Sequence, residues 1–508
     1  MNLGRMLAAA AALHPDRPAV TCEGRQWTYA EFMERADRLA EGLRVRCEVR
    51  PGDRVVIWLS NCAEYLEILV ACWRLGAVVV PVNARLRVKE VEFHCRHSEA
   101  RVLFHDADRT EQAAQVDVPH RVFVGAGDGN LSHESLQQVG SLDNPVEVEE
   151  SSPAWVFYTS GTTGSPKGAV LSHANLTAMI VAWCADLHTV SPEDVVLHCA
   201  PLSHAAGFYA VTALARGASS IIHRRFDAGA VLREIALQRV TATWMVPTQL
   251  RLTMDVLDAD SDLSSLTHVI YGGAPILRCD LEEAIAKFGP VLCQLYGQGE
   301  SPMTITSLPR REHMAGRDDE ALVSAGFART GVDVRIETPH GGWAVPDEVG
   351  EIVVRGPTVM VGYLGDEAAT RETLRDDYLH TGDIGRIDER GYLYVLDRAK
   401  DLIISGGSNV YAKSVEDVLA EYPGVDQVAV FGVPDRLWGE AVTAAVVASN
   451  GVDAEDILRH CRERIADYQV PKSVVFVEDL PKNAYGKILK RELRDRFAPR
   501  ATATPTPK

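Results

Sequence analysis

Short β-branched runs alternate with helical patterns along most of this chain, as where RVVIWL (54–59) leads into AEYLEILVACWRLGA (63–77). Parallel strands need a crossover to join them, usually a helix, so the alternation predicts an α/β architecture with partly parallel sheets. Near residue 400 the texture changes: LYVLDRAKDLIISGGSNVY is followed by SVEDVLAEYPGV, QVAVFGV, TAAVVA, EDILRHCRERIADY and SVVFV. That order suits a small α+β domain of about a hundred residues, a size able to fold alone. At 508 residues the chain exceeds what one core ordinarily organises. We therefore expect a large multi-layer N-terminal domain with mixed sheets over 1–399 and a small C-terminal domain over 400–497. A disordered tail is expected over 498–508, where APRATATPTPK lacks apolar periodicity.

Composition removes several function classes. No apolar run approaches the ~20 residues that a membrane-spanning helix needs. The opening MNLGRMLAAAAALHPDRPA has one short apolar stretch, followed by Asp16, Arg17 and Pro18 instead of a small-residue cleavage site, and reads as an amphipathic helix. Ten cysteines, scattered from Cys22 to Cys461 with no CxxC pair and no Cys/His cluster, suit reduced thiols in the cytoplasm and no cysteine-bound metal. The formal net charge of −18 argues against a nucleic-acid partner or an anionic membrane. A phosphate-bearing ligand must then be held by local groups.

YTSGTTGSPKG, Tyr158 to Gly168, supplies such groups. Its glycines let backbone N–H groups approach an anion, Thr159, Ser160, Thr162 and Thr163 add hydroxyls, and Lys167 adds a charge. The Walker A pattern does not fit, because Pro166 stands where the glycine before the lysine belongs. GAVLSH follows as a strand, so the loop joins two strands and no helix dipole faces the anion.

On these residues the segment resembles the signature loop of the adenylate-forming superfamily, which includes acyl-CoA synthetases, peptide-synthetase adenylation domains and firefly luciferase. Further motifs of that superfamily stand in the same order over nearly the whole chain: WTYAEF at 27, PLSHAAGF at 201, YGGAP at 271, YGQGE at 296, YLHTGD at 378, DRAKDLIISGGSNVY at 397 and PKNAYGKILKREL at 481.

The resemblance implies a ligase that uses ATP and Mg²⁺ to activate a carboxylic acid as its acyl-adenylate, then passes the acyl group to coenzyme A. Joining two anions demands positive charge and hydrogen-bond donors at the transition state. Thr159, Ser160, Gly161, Thr162, Thr163, Gly164 and Lys167 would cradle the phosphates, and Lys487 resembles the catalytic lysine that bridges carboxylate and α-phosphate. Glu300 resembles the Mg²⁺ ligand, the hard oxygen donor such a cation takes. Tyr296, beside Gly297, resembles the aromatic that stacks on adenine, with Gly272, Gly273 and Ala274 as the opposite wall. The superfamily commonly has Thr or Ser directly before the glutamate; Gly299 stands here, so backbone or a water must replace a hydroxyl. Asp383 resembles the carboxylate that accepts both ribose hydroxyls, and Arg398 the guanidinium near ribose and phosphate. His204 would orient the acid, not deprotonate it, since a carboxylate is already ionised at pH 7.

For the thioester step the resemblance assigns Gly406 and Gly407 to the pantetheine channel, Trp438 to the nucleotide end, and Arg85 and Lys472 to the phosphates of coenzyme A. Where relatives often carry a basic residue after an aromatic, this chain reads Tyr468, Gln469, Val470. The small domain is by resemblance a mobile lid that turns about Lys400 between the two steps, with the active site between lid and large domain. Trp183, Ala205, Ala206, Ala274 and Met303, with His204, are candidate walls of the acyl pocket. Lacking fixed charge, they favour a medium-chain, branched or aromatic acid over an amino acid or dicarboxylate. Two rivals stay open: an adenylation enzyme loading a carrier protein or an amine, and a non-catalytic nucleotide-binding regulator. No carrier domain is attached, and a regulator has no use for Lys487. A homodimer is a candidate assembly.

Overall fold

The computed structural model describes residues 2–125, 131–159, 166–314, 319–449, 451–482 and 488–498. Ser160, Gly161, Thr162, Thr163 and Gly164 of the glycine-rich loop, Lys487, and all but the first residue of the expected tail lie outside them.

The chain divides into two compact units. One comprises Met1–Pro275, Ala284–Val334 and Val353–His380; the other comprises Ile276–Glu283, Arg335–Ile352 and Thr381–Lys508. The first unit is built on two sheets. A nine-stranded sheet runs in the order Phe327–Ala328, Ser301–Leu308, Leu292–Gln298, His268–Gly272, Ala242–Met245, Val195–His198, Ser219–Ile222, Pro18–Cys22, Arg25–Thr28. A seven-stranded sheet runs Gly362–Tyr363, Lys167–Ser172, Pro153–Thr159, Val78–Pro81, Arg54–Trp58, Val102–Asp106, His120–Val124. The central strands are parallel and buried on both faces, which is why Val78–Pro81 reads as an unbroken apolar run.

RVVIWL forms the strand Arg54–Trp58, and the following segment forms the helix Ala63–Leu75, buried on all sides. The opening residues form the helix Leu3–Leu13, capped by the Asn2 side chain accepting from the Arg5 N–H. The helix Ala205–Ala215 is almost wholly enclosed, and it packs so closely that a Cβ on Gly207 would lie 2.0 Å from the Leu202 carbonyl oxygen.

A further five-stranded sheet is ordered Asp333–Glu337, Gly350–Arg355, Tyr378–Ile387, Leu374–Arg375, with Leu393–Arg398 paired to Tyr378–Ile387. The C-terminal sheet is ordered Ser408–Val410, Ile403–Ser405, Gly439–Ala448, Val425–Asp435, with Ser473–Phe476 parallel to Gly439–Ala448. One face packs on the helices Ala412–Ala420 and Ala454–Arg462, burying Val415, Leu419, Ile457 and Cys461.

Residues 381–399, which the sequence texture grouped with the large domain, fall in the second unit. The reason lies in their hydrogen bonds. Asp383 sits opposite Arg398 in an antiparallel hairpin, and the Asp397 carboxylate accepts from the backbone N–H groups of Arg398 and Ala412, tying the hairpin to the helix that follows.

Candidate active site

Strand Pro153–Thr159 pairs antiparallel with Lys167–Ser172, placing Thr159 opposite Lys167, so the glycine-rich loop joins two strands as expected. Gly362–Tyr363 adds to the far edge of this hairpin, Tyr363 opposite Ala169, held also by Leu364 N–H on the Gly168 carbonyl at 2.8 Å. A backbone bond from Met360 N–H to the Glu300 carbonyl, also 2.8 Å, then ties the strand to the YGQGE segment.

These pairings bring two side chains onto one carboxylate oxygen. Thr159 Oγ1 donates to Glu300 Oε1 at 3.0 Å, and the Tyr363 hydroxyl donates to the same oxygen at 2.8 Å. Glu300 is buried, and among the described residues its Oε2 accepts no hydrogen bond. Burial, and then the Glu300 carboxylate, pushes the Tyr363 phenol well up, so it stays protonated as a donor. Lys167 Nζ lies 5.1 Å from the centre of the Tyr363 ring, close enough for a cation–π contact. A buried carboxylate with one oxygen held by two hydroxyls leaves the other as a hard oxygen donor, which fits a Mg²⁺ ligand. Tyr363 is the residue that sequence reasoning missed, because GYLGD carries no spacing that marks it.

The adenine-wall candidates also converge. Strands His268–Gly272 and Leu292–Gln298 are parallel, with Gly272 opposite Leu295, so Gly273 and Tyr296 follow side by side at their C-terminal ends. That is where α/β sheets usually bind ligands. Gly272 is required by this approach: a Cβ there would stand 2.3 Å from the Leu295 carbonyl oxygen. Gly297 sits in the tight return to the next strand, where a Cβ would meet Met303 N at 2.5 Å. Gly273 and Ala274 are exposed.

His204 precedes the helix Ala205–Ala215 and its Nδ1 pairs with Ser203 Oγ at 3.0 Å. Its ring crosses Phe157 nearly at right angles, centroids 5.1 Å apart, and Phe157 stacks on Phe208 at 5.8 Å. Burial pushes the imidazole down to about 3, so it is neutral at pH 7 and suited to orienting an anion, not to carrying charge.

Among the acyl-pocket candidates, Ala206 is buried and Ala205 half-buried, while Trp183 is fully enclosed and stacks on Tyr209 at 4.4 Å. Met303 has φ +59°, unusual for a residue with a side chain. Its carbonyl accepts from Arg329 Nη1 at 2.9 Å, and Arg329 also pairs with Asp186 at 3.1 Å, at the end of the helix that carries Trp183. A charge therefore lies behind Met303, paired with the Asp186 carboxylate.

In the second unit Asp383 is buried in a strand, not in a local turn, and its Oδ1 pairs with Arg398 Nε at 3.0 Å. Thr381 sets the approach: its hydroxyl donates to the Ile352 carbonyl at 2.7 Å and accepts from Asp383 N–H at 3.1 Å. Gly406 and Gly407 form the two-residue turn between Ile403–Ser405 and Ser408–Val410, with φ +60° and +82°. A turn with both φ values positive demands such residues by itself. Gly406 N–H donates to the Trp438 carbonyl at 2.7 Å, and Lys472 Nζ stands 4.7 Å from the Trp438 ring centre. Arg85, in the first unit, is exposed. Lys400 is exposed in the 3₁₀ turn Ala399–Asp401.

Residues 7–364 match the family model described as AMP-binding enzyme, and residues 414–487 match that of the AMP-binding enzyme C-terminal domain. The chain belongs to the AMP-binding enzyme family. This AMP-binding enzyme is 41% identical over 501 residues to a feruloyl-CoA synthase from Amycolatopsis sp, covering 98% of this chain and 99% of that one. It superposes on the o-succinylbenzoate CoA synthetase MenE of Bacillus subtilis, solved with its acyl-adenylate intermediate, with TM-score 0.87 and 32% identity over 96% of this chain and 98% of that one. It superposes likewise on the amide bond synthetase McbA from Marinactinospora thermotolerans, with TM-score 0.90 and 30% identity over 98% and 100%. The enzyme is an AMP-forming acid–thiol ligase with the fold of the adenylate-forming enzymes. Among its described residues no helix is long and apolar enough to cross a membrane.

Proposed function

We propose that this ligase activates a planar aromatic acid of the hydroxycinnamate type with ATP and Mg²⁺ and delivers it to coenzyme A. The observation that carries adenylation is the Glu300 carboxylate held by Thr159 and Tyr363 at the end of the loop strand. An aromatic acid is supported by the Phe157 ring, which stacks on Phe208 and meets His204, and by the 41% identity to a feruloyl-CoA synthase.

In the first step a carboxylate oxygen attacks the α-phosphorus of ATP, the bond to pyrophosphate breaks, and acyl-AMP forms. Lys167 and Thr159 hold phosphate oxygens, with Ser160 to Gly164 donating from the loop. Neutral His204 donates to the carboxylate and fixes its angle of attack. Glu300 would hold Mg²⁺, whose charge neutralises the phosphates. Tyr296, Gly272, Gly273 and Ala274 bind adenine, and Asp383 takes the ribose hydroxyls, with Arg398 between it and phosphate. Lys487 bridges the two reacting anions. In the second step the thiol of coenzyme A attacks the acyl carbonyl and AMP leaves. Residues 400–497 act as a lid that turns about Lys400, with Gly406, Gly407, Trp438, Lys472 and Arg85 as contacts for coenzyme A. The ten cysteines, none of them in a disulfide, suit a cytoplasmic enzyme.

A panel of aromatic, aliphatic and polar acids, assayed for acid-dependent pyrophosphate release and by mass spectrometry for the thioester, tests this directly. Ferulate-like acids should lead the panel and give acyl-CoA; best activity on an amino acid or a dicarboxylate would sink the assignment. The likeness to an amide bond synthetase favours a second reading, in which an amine takes the acyl group, and amide product without thioester would select it. Lys487→Ala should lose acyl-adenylate formation yet still convert supplied acyl-adenylate and coenzyme A to thioester. Equal loss of both half-reactions would remove the lysine from its role.

A further inference from the structure

Gly299 departs from its superfamily in lacking the hydroxyl-bearing side chain before the glutamate, and the structure supplies a reason. A Cβ at 299 would stand 2.5 Å from Phe157 Cδ1 and 2.9 Å from Cε1, and 2.5 Å from Thr159 Cγ2. Contacts that short do not occur, so one neighbour must give way. Thr159 can move its methyl only by turning about Cα–Cβ, which would also carry Oγ1 away from Glu300. The Phe157 ring is confined as well, stacked on Phe208 and crossed by His204. Phe157 therefore occupies the space that a side chain at 299 would claim. No positive φ is recorded for Gly299, so close approach and not backbone conformation calls for glycine there.

We infer that Phe157 is a positioning residue, which holds the His204 ring toward the reacting carboxylate, and that Gly299 is the substitution that admits it. The two positions form one packing solution: a large ring at 157 with nothing at 299. The role of Phe157 in catalysis rests on the proposed adenylation. The packing claim does not.

A double-mutant cycle in the full-length enzyme tests both parts, with Gly299→Ser, Phe157→Ala and the double variant. Melting temperature reads the packing without any substrate. Gly299→Ser should lower it, and adding Phe157→Ala should lower it by less than the sum of the two single changes. Additive changes, or a Gly299→Ser protein as stable as the parent, would overturn the pairing. ATP–pyrophosphate exchange with ferulate reads the positioning. Phe157→Ala should lose at least tenfold in kcat with KM for ATP within about twofold, and should acquire an acid limb between about pH 5 and 7 as the better-solvated His204 begins to titrate in its ordinary range. Unchanged exchange and a flat pH profile in Phe157→Ala would remove Phe157 from the positioning role. If the parent enzyme shows no exchange with any acid, the proposed adenylation fails, and the melting cycle still decides the packing.

Discussion

Tyr363 and Thr159 both place a hydroxyl hydrogen on Oε1 of Glu300, and this fixes the carboxylate more tightly than either could alone. Hydrogen bonds to a charged acceptor contribute about 1.5–3 kcal/mol each, so losing one should be visible in metal affinity. We expect Tyr363→Phe to raise the Mg²⁺ concentration for half-maximal adenylation about tenfold or more while leaving KM for the acid unchanged. A Mg²⁺ titration at saturating ATP checks it, and an unaltered curve would detach Tyr363 from the metal site. At this scale sequence reasoning reached the residues that sit inside dense motifs. Thr159 and Glu300, from separate motifs, are joined by a hydrogen bond, Gly272 packs against Leu295, and Asp383 pairs with Arg398. It did not reach Tyr363 or Phe157, whose importance comes from what lies across the fold. Thr159 and Glu300 are 141 residues apart, and Tyr363 and Glu300 are 63 apart.

The hairpin and helix elements were mostly legible, because burial on one face or both imposes a period or a run on the sequence. The run from QVAVFGV through TAAVVA gave two long paired strands, Val425–Asp435 and Gly439–Ala448, and SVEDVLAEYPGV gave the helix Ala412–Ala420. The 3₁₀ turn at Lys400 was not legible, since a three-residue turn leaves no periodic trace. Its geometry sharpens the proposed hinge. Proline at 400 would disfavour the helical region for Ala399, which the turn Ala399–Asp401 uses. Lys400→Pro should therefore separate the half-reactions: acyl-adenylate formation near normal, thioester formation lower by at least tenfold. Single-turnover rates of both steps, with melting temperature as control, decide it; parallel losses would mean that the substitution merely damages the turn.

Over the whole molecule, buried and half-buried histidines couple stability to acid. Burial pushes His94, His173 and His313 down to about 4, and His198, His204 and His268 down to about 3, from an ordinary value of 6.5. Below pH 6.5 the unfolded chain takes up protons that the folded chain refuses, so stability falls as pH drops toward these depressed values. Each site contributes on the order of 1 kcal/mol per pH unit across that window. The melting temperature should drop steadily from pH 7 to pH 5, with net proton uptake on unfolding measurable by calorimetry in buffers of different ionisation enthalpy. Equal melting temperatures at the two pH values would show that these rings are less secluded than their packing implies.

The sequence by itself determined the α/β class, the separate small C-terminal fold and the adenylate-forming chemistry, because each is written in local patterns: periodic burial, turn-forming glycines and contiguous motifs. Only the tertiary structure decided that Glu300 is held by Tyr363, that Met303 is held in its unusual backbone conformation by a buried Arg329, and that Gly299 answers to Phe157. Those facts depend on strands distant in sequence being brought within a few ångströms of one another. Such distances follow from register and packing, which no single stretch of chain contains.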